Sequence, residues 1–338
     1  MGGPVAVARR AARWLCGLAV VLAIAAGCRS SMDASMEDGS GSGGPTSGSE
    51  GASGGAGDPV VVAAGDIACE TCAQEETARL MLDLATERPL AAVLPLGDNA
   101  YDGGALSEFM KLYAPSWGRP ELRAITHPIL GGHEYQSSPG DGSGYFDYFY
   151  GPGVQSGWFG KRRQGFYSFD LGAWHLVALN TAIACRQVAC NPGSAQEVWL
   201  RADLAAHPTL CTLAYFHEPR FQQGEEHGDS EAASALWTAL YEAGAELVLS
   251  ANEHNYQQLG GMDQDGRPDP VRGVRQFVVG TGGAALHDRF SSAHADVLEE
   301  RDAGHHGVLE LTLHPTSYEW RFVAVGGEII ASGSAPCH

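Results

Sequence analysis

The chain has 338 residues, 44% of them hydrophobic and 18% charged, enough apolar material for one large domain or two modest ones. It carries 21 Lys+Arg against 40 Asp+Glu, a formal charge of −19, and its only lysines are Lys111 and Lys161. No basic stripe exists to neutralise a phosphate backbone, so nucleic acid is excluded as a partner; the composition also excludes collagen, coiled coil and multi-span membrane protein.

Residues 1–28 read as an export signal. Arg9, Arg10 and Arg13 precede an apolar run from Trp14 to Gly27, and no acid interrupts them. Fourteen apolar residues are too few to cross about 30 Å of hydrocarbon at about 1.5 Å per residue. The run ends Ala25-Ala26-Gly27-Cys28, which resembles the lipobox of bacterial lipoproteins, with Ala25 where that motif usually has leucine. The resemblance implies cleavage before Cys28 and its lipidation, anchoring the chain at the bacterial cell envelope; an ordinary secretory signal, giving a secreted chain, is the alternative. The membrane is contacted through that N-terminal lipid only.

Residues 29–58 are rich in Gly and Ser and hold too little apolar content to offset their ordering entropy, so a disordered tether is expected. Gly39-x-Gly41-x-x-Gly44 and Gly51-x-Ser53-x-Gly55 mimic a dinucleotide fingerprint and a nucleophile elbow, but neither has the strand before and helix after that those motifs need. Residues 59–338 then form the functional domain, with 17 bases against 35 acids. Such a surface repels anions unless the site itself concentrates positive charge, as metal ions would.

Beyond the signal and Cys28 six cysteines remain, an even count that in an exported chain favours disulfides. Of the 15 possible pairings, local proximity suggests Cys69–Cys72 and Cys185–Cys190, leaving Cys211–Cys337.

In the domain the same event recurs five times. Val60–Ala64 is a short apolar run ending at Gly65-Asp66. A helix is expected over about Gln74–Glu87. Ala91–Leu96 ends at Gly97-Asp98-Asn99-Ala100-Tyr101, and Ile125–Leu130 at Gly131-Gly132-His133-Glu134-Tyr135. Cys211–Phe216 ends at His217-Glu218-Pro219, and Glu246–Ser250 at Ala251-Asn252-Glu253-His254. Strands alternating with helical segments suggest an α/β fold with a parallel or mixed sheet, whose ligand site lies beyond the carboxyl ends of the strands. A single such cluster reads equally well as a capped polar loop, Asp66 or Asp98 being an N-cap. Five in succession point to one convergent metal site, with carboxylate, phenol and imidazole donors suited to Fe, Mn or Zn.

These segments resemble the calcineurin-like metallophosphoesterases, in the purple acid phosphatase-like branch, whose pattern runs GD, GDxxY, GNH(E/D), a His, then GHxH. The matches are Gly65-Asp66, Gly97-Asp98 to Tyr101, Gly131-Gly132-His133-Glu134, His217 and Ala251-Asn252-Glu253-His254, within a span from Val60 to Val325 that includes the Val279-Gly-Thr-Gly-Gly283 turn. The resemblance implies a two-sheet β-sandwich flanked by helices, a four-layer αββα arrangement. It implies that Asp66, Asp98, Tyr101 and His254 hold a first ion, with tyrosinate ligation favouring Fe(III). Asp98 would bridge to a second ion, Zn or Mn, held by His217 and Asn252, and His133 would serve the substrate phosphate or leaving group.

This chain departs from the pattern at the second ion. The family's Asn ligand is Gly132, and the first His of GHxH is Asn252, a weaker ligand than imidazole. Glu218 and Glu253 are possible compensating ligands, or else solvated loop acids. His227 either lines the site or is an exposed loop residue; His175 is expected to pack in a strand. The implied activity is hydrolysis of small phosphate mono- or diesters by metal-bound hydroxide, with a degraded second site. The alternative is a non-catalytic or weakly active relative acting as a cell-surface binding module.

Overall fold

A computed structural model describes residues 57–209 and 211–338. The expected export signal, Cys28 and the expected tether through residue 56 lie outside them.

Fourteen strands occur among the described residues: β1 (Val60–Ala64), β2 (Leu90–Pro95), β3 (Ser156–Gly157), β4 (Gly160–Lys161), β5 (Tyr167–Leu171), β6 (Trp174–Ala178), β7 (Cys211–Tyr215), β8 (Leu247–Ser250), β9 (Tyr256–Met262), β10 (Val274–Val279), β11 (Leu298–Asp302), β12 (Gly307–His314), β13 (Ser317–Ala324) and β14 (Ile329–Pro336). A five-stranded sheet has the order β14-β13-β12-β1-β2 and a seven-stranded sheet the order β11-β9-β10-β8-β7-β6-β5, with β3 and β4 a separate hairpin. Both sheets are mixed: β1 runs parallel to β2 and antiparallel to β12, while β6, β7, β8 and β10 are mutually parallel neighbours.

Alternation along the strands divides the seven-stranded sheet between two cores. Leu176, Leu213, Tyr215, Leu247 and Leu249 face the five-stranded sheet and share a core with Val61, Leu309 and Leu311. Across that gap Tyr256 stacks on Phe322 at 4.2 Å, and Phe277 meets Trp320 edge-on at 5.7 Å. On the other face, Val177, Ala214 and Val248 pack against Leu200 and Leu204 of helix Ala195–Ala206 and Leu236, Trp237 and Leu240 of helix Ser234–Ala243. Helix Gln74–Glu87 buries Ala78, Met81 and Leu84 beside β12. The architecture is the two-sheet sandwich flanked by helices that the resemblance implies.

The third predicted strand is a correction. Ile125–Leu130 runs extended beside β2 but forms only the isolated bridge Val93–Thr126. The Val93 amide donates to Ile125 and the His127 amide to Val93, but the next donor in register would be Pro95, which has no N–H. The His127 carbonyl accepts from the Tyr215 hydroxyl instead. His175 is also more than a packing residue. Its Nδ1 lies 2.7 Å from Asp170 and its Nε2 2.9 Å from Asp203; burial opposes its charge, but the two carboxylates prevail and raise its pKa.

The three disulfides are Cys69–Cys72, Cys185–Cys190 and Cys211–Cys337. The last ties the residue after β14 in one sheet to the start of β7 in the other, across 126 positions of sequence. A loop of that length makes it the principal covalent constraint on the unfolded chain. Replacing both Cys211 and Cys337 with alanine is expected to destabilise the protein by about 3 kcal/mol. Urea unfolding checks this: an unchanged midpoint would show that the bridge constrains nothing the sheets do not already hold.

Candidate metal centre

The carboxyl ends of β1 and β2 from one sheet, and of β7 and β8 from the other, meet at a common rim. The backbone joins them there. The Gly65 amide donates to Val279, Asp66 to Gly97, Ile67 to Asp98, and Ala251 to His217, all at 2.8–3.1 Å. Asp66, Asp98 and Asn252 each follow a strand in the left-handed region, with φ of 58°, 49° and 64°. Asp and Asn tolerate that region better than most residues, and the sharp bend delivers each side chain to the rim. Glycine neighbours leave the room required. A Cβ on Gly131 would stand 2.3 Å from Asp98 Oδ1, and one on Gly280, in the predicted glycine turn, 2.6 Å from Asp66 Oδ2.

Glu134 fixes the loops to one another. Its buried carboxylate accepts from the amides of Gly131 at 2.7 Å, Asn99 at 2.8 Å and Asp98 at 3.1 Å. The sequence places this residue in the His133 motif without revealing that role; an acid immediately after a glycine-rich loop was the available signal.

Six of the expected side chains converge. The Tyr101 hydroxyl donates to Asp66 Oδ1 at 3.2 Å and lies 3.4 Å from His254 Nε2. His254 Nε2 is 3.6 Å from Asp66 Oδ1, and His217 Nε2 is 3.2 Å from Asp98 Oδ2 and 4.0 Å from Asp66 Oδ1. His133 Nε2 stands 3.9 Å from Asp98 Oδ2, and its backbone amide donates to Asp98 Oδ1 at 2.7 Å. Asp66, Asp98 and His217 present ligand atoms within 4.8 Å of one another and are buried.

All three histidines are oriented the same way. Nδ1 of His217 meets the Leu96 carbonyl at 2.8 Å, Nδ1 of His254 the Ala285 carbonyl at 2.8 Å, and Nδ1 of His133 the Asp102 carbonyl at 2.5 Å. A carbonyl only accepts, so Nδ1 carries the proton and Nε2 is left to face the rim, the arrangement typical of metal-ligating histidine.

The charge balance asks for a cation. Asp66 Oδ2 and His217 Nε2 are buried without a hydrogen-bond partner. Burial alone would raise the Asp98 carboxyl, yet His217 and then His133 bring it down to about 2. Burial likewise opposes a charge on His217, which Asp98 and Asp66 nevertheless hold well above the usual imidazole range. Burial and the Asp98 charge push Glu134 up to about 7 against the amides it accepts from. Tyr101 is driven well above the usual phenol range by burial, then by Asp66 and Asp98. Two buried carboxylates, one of them with an unpartnered oxygen, among imidazoles aimed inward, fit a bound metal ion.

The proposed compensating ligands are engaged elsewhere. Glu218 accepts from the Thr181 hydroxyl at 2.6 Å and the Ala184 amide at 3.0 Å. Glu253, far from being a solvated loop acid, is fully buried and faces His227 and His287. Gly132 leaves its side-chain position open, the nearest atom to an added Cβ being Ile183 Cγ1 at 3.8 Å. His287 stacks on His254 at 4.2 Å. A cavity of about 360 Å³ opens beside Tyr101, lined also by Asp102, Glu70, Glu108 and Lys111.

No family model matches the chain. A curated relative, the probable purple acid phosphatase 20 of Arabidopsis thaliana, is 28% identical over 107 residues, which are 30% of this chain and 24% of that protein. The match therefore spans about a quarter of the relative's length. Among solved structures, the purple acid phosphatase PPD1 from yellow lupin (Lupinus luteus) seeds superposes with a TM-score of 0.65 and 18% identity, over 83% of this chain and 54% of that one. GAP50, the anchor in the inner membrane complex of Plasmodium, gives 0.63 and 13% over 83% and 89%. PhoD gives 0.56 and 13% over 83% and 69%. The chain has the metallophosphoesterase fold of the purple acid phosphatase and PhoD structures, with grouped side chains that could hold a metal ion at the rim where its sheets meet.

Proposed function

We propose that the chain is a metal-dependent phosphoesterase hydrolysing small phosphate mono- or diesters. The observation that carries this reading is the buried Asp66–Asp98–His217 group, whose ligand atoms all lie within 4.8 Å of one another, with Asp66 Oδ2 and His217 Nε2 lacking hydrogen-bond partners. Asp66, Tyr101 and His254 would hold one ion, Fe in this reading. Asp98 would bridge to a second, Zn or Mn, supported only by His217 and Asn252. When bound, the ions supply Lewis acidity, acidifying water and offsetting charge on the phosphoryl oxygens.

The chain's own residues do the rest. Asp98 keeps one oxygen on the His133 amide at 2.7 Å and so presents the other in a fixed direction. His133, packed on the Tyr101 ring at 4.3 Å and partly exposed, keeps Nδ1–H on the Asp102 carbonyl and, as imidazolium, would give its Nε2 proton to the ester's leaving oxygen. Glu134 holds the two loops in register. Elsewhere the acidic surface repels the substrate's anion, so attraction is confined to the rim. Three disulfides favour an oxidising compartment, and we place the domain outside the cytosol, exported by residues 1–28, lipidated at Cys28 and spaced by the tether of residues 29–58.

The full chain is expected to hydrolyse a chromogenic phosphate ester, to lose turnover on chelation and to regain it on returning Fe with Zn or Mn. Turnover that survives complete metal removal would refute the reading, as would a metal-loaded chain inert toward mono- and diesters alike.

A further inference from the structure

We infer that His227, Glu253 and His287 form a second, separate metal site, a two-histidine, one-carboxylate set that takes a zinc-class divalent ion. His227 Nδ1 lies 3.3 Å from Glu253 Oε2, and His287 Nδ1 lies 3.2 Å from Glu253 Oε1. The three ligand atoms all fall within 4.8 Å of one another. Tetrahedral zinc with ligands at about 2.0–2.1 Å has ligand-to-ligand edges of about 3.3 Å, which the two histidine separations match, one to each carboxylate oxygen.

The carboxylate is built in. Glu253 is fully buried, and its space exists because residue 224 is glycine: a Cβ there would stand 2.1 Å from Glu253 Cδ. Oε2 is oriented by the His227 amide at 3.0 Å and by Gln222 Nε2 at 3.4 Å, the outer hydrogen bonds that commonly aim a ligating carboxylate. Each ligand comes from a different segment: the loop after β7, the bend after β8 and the stretch beyond the glycine turn. The two imidazoles stay partly exposed, 40% for His227 and 25% for His287, so an ion would keep solvent-facing positions. Three ligands with open positions is the pattern of a catalytic rather than a structural zinc site.

The site adjoins the rim without sharing its ligands. His254 stands between the two, stacked on His287 at 4.2 Å while its Nε2 faces Asp66 at 3.6 Å. Where this chain lacks the family's second-ion ligands at Gly132 and Asn252, it places an independent donor set one histidine away. The inference does not depend on the phosphoesterase reading.

The test is zinc stoichiometry of the full chain, stripped with chelator, equilibrated with zinc and measured by plasma mass spectrometry after gel filtration. His227→Gln with His287→Gln is expected to lose one equivalent relative to the parent, both in the native chain and in Asp98→Asn. Cobalt substitution gives a second readout: the Asp98→Asn chain should show the visible absorption of low-symmetry cobalt, and His287→Gln should remove it. Both histidines are partly exposed, so circular dichroism should match the parent; if the double variant unfolds, the single His287→Gln substitution decides. An unchanged zinc count, or a cobalt band indifferent to His287, overturns the inference. A retained equivalent in a chain without ester hydrolysis would uphold this site and refute only the phosphoesterase reading.

Discussion

Asp98→Asn is expected to lower kcat/KM for ester hydrolysis by more than about a hundredfold, the loss that removal of even an outer partner of a metal site can reach. The change is nearly isosteric. The asparagine carbonyl still accepts the His133 amide that Asp98 Oδ1 accepts at 2.7 Å, and the neighbouring Ile67 amide bonds the backbone of residue 98 rather than its side chain. What disappears is the charge that faces His217 at 3.2 Å and that would bridge two ions. The variant should therefore keep its fold by circular dichroism while losing the metal at the rim and turnover together. Near-native kcat/KM in a folded Asp98→Asn protein would remove Asp98 from the chemistry.

The second large effect runs the other way. Gly132→Asn combined with Asn252→His is expected to raise turnover about tenfold or more, since on the proposed reading it returns two ligands to the second ion. The backbone accepts both changes. Gly132 has φ −65°, an ordinary right-handed conformation, and an added Cβ meets nothing closer than 3.8 Å. Residue 252 has φ 64°, where histidine, like asparagine, is enriched relative to other side chains. Neither single substitution restores the full ligand set, so each alone should give less than the pair. No gain from the folded double variant would mean that the second ion does not limit turnover.

The rim was legible in the sequence because parallel strands in an α/β sheet deliver their carboxyl ends to one side, and polar residues after apolar runs mark that side. Asp66, Asp98, Tyr101, His133, His217 and His254 follow from that pattern and converge as expected. Helix Gln74–Glu87 forms over the residues where the sequence places it. The alternation in Val308-Leu-Glu-Leu-Thr-Leu313 and Tyr318-Glu-Trp-Arg-Phe322 has the period of a strand and matches β12 and β13.

Other features depend on three-dimensional proximity, which sequence does not carry. The strand expected over Ile125–Leu130 failed because the missing donor belongs to its partner, Pro95, thirty positions away in a separate element. Glu218 and Glu253 read alike as acids beside ligand histidines. One is satisfied by Thr181 and Ala184 and the other is walled in beside Gly224 against two imidazoles. His175 reads as a packing residue because neither Asp170 nor Asp203 announces itself as its partner.

Anomalous diffraction from crystals of the metal-loaded chain, collected across the Fe, Mn and Zn edges, tests the central claim most directly. The account predicts a peak at the rim about 2.0–2.2 Å from carboxylate oxygens of Asp66 and Asp98 and from His254 Nε2. A fully loaded protein with no ion between Asp66 and Asp98, their carboxylates neutralised by protons or side chains instead, would contradict it.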